Sequence, residues 1–290
     1  MKQLVRYVAG LLAGGLAFAH APSKDGIVYG EAGGQQLTMD YYPPAGKGPH
    51  PVVIIIHGGG FVGGTSKNGS EAYCADFLAP AGYAVFSINY RLTPKFTLGD
   101  MVADVHTAVR FIREHAGSWD ADGTRIALLG GSAGGYLSNM APLVADERAS
   151  VEAVVTLFGI SNWAGMPYHA ALEPMFEPTL SKKGWRVAEV EWSPLTHVSA
   201  KAPPFLLIHG DKDEAVPLEQ SIELQKALHA VGVRCDLIVI PNGPHATGSW
   251  YRIPGVPDWE KQMTVWLNEV LHNEGPIGEG IRPREPGAAK

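Results

Sequence analysis

The chain has 290 residues, 46% of them hydrophobic and 18% charged, enough for one large domain with a buried core. A formal net charge of −6, with no run of Lys or Arg, excludes an electrostatic nucleic-acid binder. There is no internal repeat and no low-complexity tract, and 35 glycines with 22 prolines predict many tight turns.

In chain order, the opening MKQLVRYVAGLLAGGLAFAHA sets Lys2 and Arg6 before an apolar stretch from Tyr7 to Phe18 that ends in Ala17-Phe18-Ala19. This is the three-part pattern of a secretory signal peptide, residues 1–19, with cleavage expected after Ala19. The stretch is shorter than a membrane span of roughly 20 residues. The expectation is export to the periplasm or beyond, with no stable membrane span after cleavage. A helix packed on the domain and an uncleaved anchor are the alternatives. The domain proper is then residues 20–273, and the tail 274–290, EGPIGEGIRPREPGAAK, reads as disordered.

GIVYGEAGGQQLTMDYYPP predicts a hairpin around Gly33-Gly34. Six short apolar runs then predict buried strands: PVVIIIH, YAVFSINY, RIALLG, VEAVVTLFG, PFLLIHG and CDLIVIP. Helical patterns fill the gaps. SEAYCADFLAPAG starts on a capping Ser70, and GDMVADVHTAVRFIREHA spaces Met101, Val105, Ala108, Val109 and Ile112 along one helix face. LEQSIELQKALHAVG ends at Gly232, and DWEKQMTVWLNEVLH opens on Asp258 as N-cap. Strands alternating with helices predict an α/β fold, a mostly parallel sheet flanked by helices with the hairpin at one edge. Residues 160–202 break the alternation. With Trp163, Tyr168, Phe176, Trp185 and Trp192 they read as a short lid-like insertion or pocket wall, or as a packed connecting helix pair. Cys74 and Cys235 fit no zinc or redox spacing and are expected as buried free thiols.

A parallel sheet binds ligands at the carboxyl ends of its strands, and the candidate chemistry of this chain clusters there. Ser132 follows RIALLG inside Gly130-Gly131-Ser132-Ala133-Gly134, which fits G-x-S-x-G between a strand and a helix. That is the context of a nucleophile elbow, where glycines clear space and the helix N-terminus adds positive potential. A serine hydroxyl needs a base, and the base an orienting carboxylate, in the chain order Ser, acid, His. HGDKDEAVP supplies Asp213 as the acid, with Asp211 tying down the turn, and PNGPHA supplies His245 as the base. The amides of Gly59 and Gly60 in HGGGF, with that of Ala133, are the expected oxyanion donors. His57 is expected to brace that loop, and Lys67 does not complete a phosphate loop.

The stretches IIIHGGGF, INYRL, IALLGGSAGGYL, SPLTHVSAKAPPFLLIHGDKDEAVPLEQSIELQKALHAVGV and IPNGPHA resemble the α/β-hydrolase carboxylesterases, of the hormone-sensitive-lipase-like and bacterial feruloyl-esterase-like (BD-FAE-type) groups. The resemblance implies the α/β-hydrolase fold, Ser132, Asp213 and His245 as triad, and Gly59, Gly60 and Ala133 as oxyanion hole. The chain departs from the pattern twice: Gly131 stands where many relatives carry Asp or His, and the histidine loop reads GPHA rather than GHG.

The expected function is that of an exported serine carboxylesterase acting on short-chain or aryl/acetyl esters through an acyl-enzyme. No cofactor and no metal is expected, since H-E-x-x-H and Cys/His clusters are missing. The expected partner is a small-molecule ester or a polysaccharide-linked one, and oligomeric state is left open. Alternatives are an acetylxylan or feruloyl esterase working on plant polysaccharide side groups, a serine amidase or peptidase, and a non-catalytic binding protein on the same fold.

Overall fold

Strand β3 (His50–Ile56) sorts its side chains by parity. Val52, Ile54 and Ile56 face one side of the sheet, Val53 and Ile55 the other, and all five are fully buried. Such a strand needs cover on both faces. The computed structural model describes residues 21–67, 71–144, 146–166 and 173–272. The expected signal peptide and tail, Ser70 and Tyr168 lie outside the described residues.

The sheet has eight strands in the order β1-β2-β4-β3-β5-β6-β7-β8. The hairpin β1 (Lys24–Ala32) and β2 (Gln35–Tyr42) turns at Gly33-Gly34 and joins β4 (Ala84–Ile88) antiparallel, at one edge as predicted. β3, β4, β5 (Ala121–Gly131), β6 (Ala153–Leu157), β7 (Phe205–Gly210) and β8 (Cys235–Ile240) pair in parallel. β5 begins four residues before the apolar run RIALLG, because Ala121 already pairs with His50 across a register shift.

One face is covered by α1 (Leu98–His115), α2 (Ala133–Met140) and α3 (Glu219–Ala230), the other by α4 (Trp259–Leu271) and the short turns of Ala72–Leu78. α1 is capped by a reciprocal pair: Thr97 accepts from the Asp100 N–H while Asp100 accepts from the Thr97 N–H. Asp258 caps α4 by accepting from the Lys261 N–H. The helix predicted over residues 70–82 is shorter than expected, a 3₁₀ turn (Ala72–Cys74) and a single α turn (Ala75–Leu78), ending ahead of Pro80, which has no N–H to continue it.

The insertion between β6 and β7 contains helical turns Trp163–Gly165, Glu173–Phe176, Thr179–Lys183, Trp185–Glu191 and Pro194–His197. Its Trp163 and Phe176 are fully buried, and the Trp192 carbonyl accepts from both Tyr136 Oη and Trp163 Nε1 at 2.9 Å. The root of the insertion is therefore core. Cys74 and Cys235 are buried and unbonded. Among the described residues, no helix is long and apolar enough to cross a membrane.

Candidate active site

Ser132 sits between β5 and α2 with φ 55° and ψ −117°, a conformation that L-residues adopt only when the surroundings enforce it. Its N–H donates to the Leu157 carbonyl on β6 (3.0 Å), and its own carbonyl accepts from the Tyr136 N–H one turn into α2. A Cβ on Gly134 would overlap the Ile56 carbonyl, and one on Gly130 would overlap the Gly134 carbonyl. The elbow can close this tightly only with glycine at both places. Ser132 stays partly exposed while all of α2 after it is buried.

The structure brings the predicted partners to it. His245 Nε2 lies 2.9 Å from Ser132 Oγ, and His245 Nδ1 lies 2.6 Å from Asp213 Oδ2. Nδ1 therefore donates to the carboxylate, which leaves Nε2 to accept from the serine hydroxyl. The loop after β8 aims His245 at the serine, and the Phe158 ring packs against the imidazole at 4.5 Å. Asp213 Oδ1 accepts from the N–H groups of Ala215 and Val216 at 2.9 and 2.8 Å. Burial pushes the Asp213 pKa upward, but the His209 and His245 N–H groups outweigh it and hold it at about 2. Asp211 plays the other expected part: it accepts from the Asn242 N–H and fastens the turn to the loop after β8.

The loop after β3 carries Gly59 (φ 117°) and Gly60 (φ 62°). Among the described residues the N–H groups of Gly59, Gly60 and Ala133 meet no protein acceptor. His57 is a brace. It is buried, its Nδ1–H donates to the Gly58 carbonyl at 2.7 Å, and its ring stacks on Tyr90 at 4.3 Å. Burial pushes its pKa down to about 4, so it is neutral at pH 7. Tyr90 Oη donates to the His57 carbonyl at 2.9 Å, locking the loop from below.

Three residues at the site were not picked out from the sequence. Phe158 is the ring behind His245. Glu71 is fully buried, and its Oε2 accepts from the Gly58 N–H at 2.9 Å. A Cβ on Gly131 would overlap Glu71 Oε1. The departure at Gly131 thus has a physical reason, because a carboxylate from another segment fills the space a side chain would take. The third is His209, inside the apolar strand β7 and fully buried, beside Asp213. A buried histidine within an apolar strand needs polar partners, and that was the available signal.

A cavity of about 390 Å³ opens at the other end of the strands, lined by Arg113, Thr124 and Glu152 among others. Its central Arg113 guanidinium already donates to the Gly123, Arg148 and Ser150 carbonyls. It lies at the entry of β5, whereas Ser132 follows its exit, so it is not part of this site.

Comparison with known proteins bears on the family and the fold. The BD-FAE family model matches residues 39–228, a span that includes Ser132 and Asp213 and ends before His245. The chain is similar to the probable carboxylic ester hydrolase LipM of Mycobacterium tuberculosis, with 35% identity over 193 residues, 60% of this chain and 44% of that protein. It is 32% identical to esterase LipC of the same organism over 221 residues, 71% of this chain and 55% of that protein. The chain spans about half the length of the curated relatives it matches. Among solved structures, the acetyl ester-xyloside bifunctional hydrolase of Caldicellulosiruptor lactoaceticus superposes with a TM-score of 0.72 at 24% identity, over 87% of this chain and 98% of that one. That likeness is one of fold.

Proposed function

Because the chain belongs to the BD-FAE family and has the α/β-hydrolase fold, we propose that it hydrolyses carboxylic esters with Ser132 as nucleophile, His245 as general base and acid, and Asp213 as orienting carboxylate. The observation that carries this reading is the unbroken line from Asp213 Oδ2 through the His245 ring to Ser132 Oγ, ending on a serine at φ 55°.

The steps follow from that line. Ser132 Oγ attacks the ester carbonyl carbon as its proton passes to His245 Nε2. The Asp213 carboxylate balances the imidazolium without taking its proton. The carbonyl oxygen becomes an oxyanion beside the N–H groups of Gly59, Gly60 and Ala133, where one donor is worth roughly 3 kcal/mol. Collapse expels the alcohol, protonated by His245, and leaves Ser132 acylated. Water, deprotonated by His245, then attacks the acyl carbon, and Ser132 recovers its proton as the acid leaves.

The reading takes short-chain or aryl/acetyl esters as the substrates, as the resemblance to the carboxylesterases implies. The reading includes export, on the N-terminal pattern of Lys2, Arg6 and Ala17-Phe18-Ala19. The test is hydrolysis of p-nitrophenyl acetate, butyrate and octanoate, beside a matching p-nitroanilide. Rates should fall from butyrate to octanoate, and the anilide should lag far behind the esters. An anilide hydrolysed as fast as the esters would turn the reading to an amidase, and no hydrolysis of any of them would refute it.

A further inference from the structure

The environment of Asp213 contains a second imidazole. His209 Nε2 lies 2.8 Å from the Val216 carbonyl and 3.4 Å from Asp213 Oδ2, the oxygen that accepts from His245. Its Nδ1 lies 2.7 Å from Ser221 Oγ, in the first turn of α3. A carbonyl only accepts, so Nε2 carries a proton, and the Ser221 hydroxyl donates to Nδ1. One N–H therefore points at Val216 O with Asp213 Oδ2 close beside it. The side chains of His209 and Asp213 are both fully shielded from solvent. Bulk solvent does not reach that oxygen, so the N–H dipole acts on it at low dielectric.

We propose that His209 is a positioning residue for the acid of the triad, holding Asp213 Oδ2 in line with His245 Nδ1 and keeping the carboxylate the weaker claimant for the shared proton. This rests on the triad reading above. The role follows from what Oδ2 must do. When Ser132 Oγ loses its proton to His245 Nε2, the proton on Nδ1 has to stay on the ring for the ion pair to form. An oxygen that already faces a second N–H is less basic toward the first. The same imidazole spans β7, the Val216 turn and α3, so it also fixes the rotation of the carboxylate, whose Oδ1 is held by the Ala215 and Val216 amides. Ser221, His209, Asp213, His245 and Ser132 make one continuous polar chain, buried from Ser221 to Asp213 and partly exposed at His245 and Ser132.

The experiment uses the full chain as wild type, His209→Leu, His209→Gln and Ser221→Ala. Two quantities are read: kcat and KM on p-nitrophenyl butyrate, and the far-downfield proton resonance of His245 Nδ1–H in protein labelled with ¹⁵N-histidine. His209→Leu should lower kcat about tenfold or more while KM changes by less than about twofold, since the N–H that faces the charged carboxylate at close range is lost. The resonance should move. His209→Gln, whose amide N–H reaches toward the same oxygens, should recover most of kcat and of the resonance position. Should His209→Leu not fold, Ser221→Ala, which frees the ring to turn, should still lower kcat and move the resonance. A His209→Leu protein with wild-type kcat and an unmoved resonance would overturn the proposal. So would equal loss in the Leu and Gln variants with an unmoved resonance, which marks a purely structural histidine. If the wild type hydrolyses no ester, the triad reading fails, and the resonance alone decides whether His209 acts on the Asp213–His245 pair.

Discussion

At the scale of single residues, Asp213 is the most constrained group in the site. Its two oxygens face backbone N–H groups and two imidazoles, and its pKa is held at about 2 although burial alone would raise it. The sign of the consequence is fixed. A folded-state pKa below the unfolded value of about 3.9 stabilises the native state above pH 4, and that stabilisation disappears as pH falls from about 4 toward 2. Its size is about 2 kcal/mol. Urea unfolding of wild type and Asp213→Asn between pH 7 and 2.5 checks this. The stability difference between them should shrink by about that amount at the acid end, and a pH-independent difference would rule out the assigned ionisation. Residue choices were unevenly legible. Ser132, Asp213 and His245 stood out by chain order and by their places after strands, and Asp213 was separable from Asp211 by its distance from the strand. Glu71 was not legible. It reaches Gly58 and Gly131 from outside the motif that contains them, and only the three-dimensional path makes it their neighbour.

At the scale of elements, the glycine loop after β3, Gly58 to Gly60, depends on a support that lies outside the proposed catalytic groups. Arg91, directly after Tyr90, sends Nε and Nη2 to Asp104 on α1 at 2.7–3.0 Å and Nη1 to Asp100 at 3.0 Å, while its own N–H also reaches Asp104. Asp104 is almost wholly buried. Together they pin Tyr90, and Tyr90 Oη holds His57 and the loop that follows. Removing Asp104 leaves the buried Arg91 guanidinium with Asp100 as its remaining counter-charge and strips the Arg91 N–H and Nε of their acceptor. Asp104→Ala should therefore cost roughly 3 kcal/mol or more of stability by urea or thermal unfolding, and a loss under about 1 kcal/mol would show that the pair is dispensable. INYRL was recognisable as part of a resemblance, but its partner was not. Asp104 lies on the same amphipathic helix whose apolar face was read from Met101, Val105 and Ile112, and a buried aspartate on that face carries no periodic signal.

At the scale of the whole molecule, the alternation of strand and helix was enough to give the layered sheet. β-branched runs such as PVVIII must be covered on both faces, and the parallel pairing of β3 to β8 puts the exits of those strands on one side. The insertion resisted reading because its aromatics belong to the core: Trp163 packs on Phe61, Tyr136 and Phe176, all of them buried, and sequence does not separate a buried ring from a pocket ring. The central claim is that this fold makes one serine among its many hydroxyls nucleophilic. A fluorophosphonate tests it directly, with the adduct located by mass spectrometry of the digested protein. The account predicts about one adduct per chain, on the peptide containing Ser132, absent in Ser132→Ala and strongly slowed in His245→Ala. An adduct on another residue, or undiminished labelling of Ser132→Ala, would contradict it.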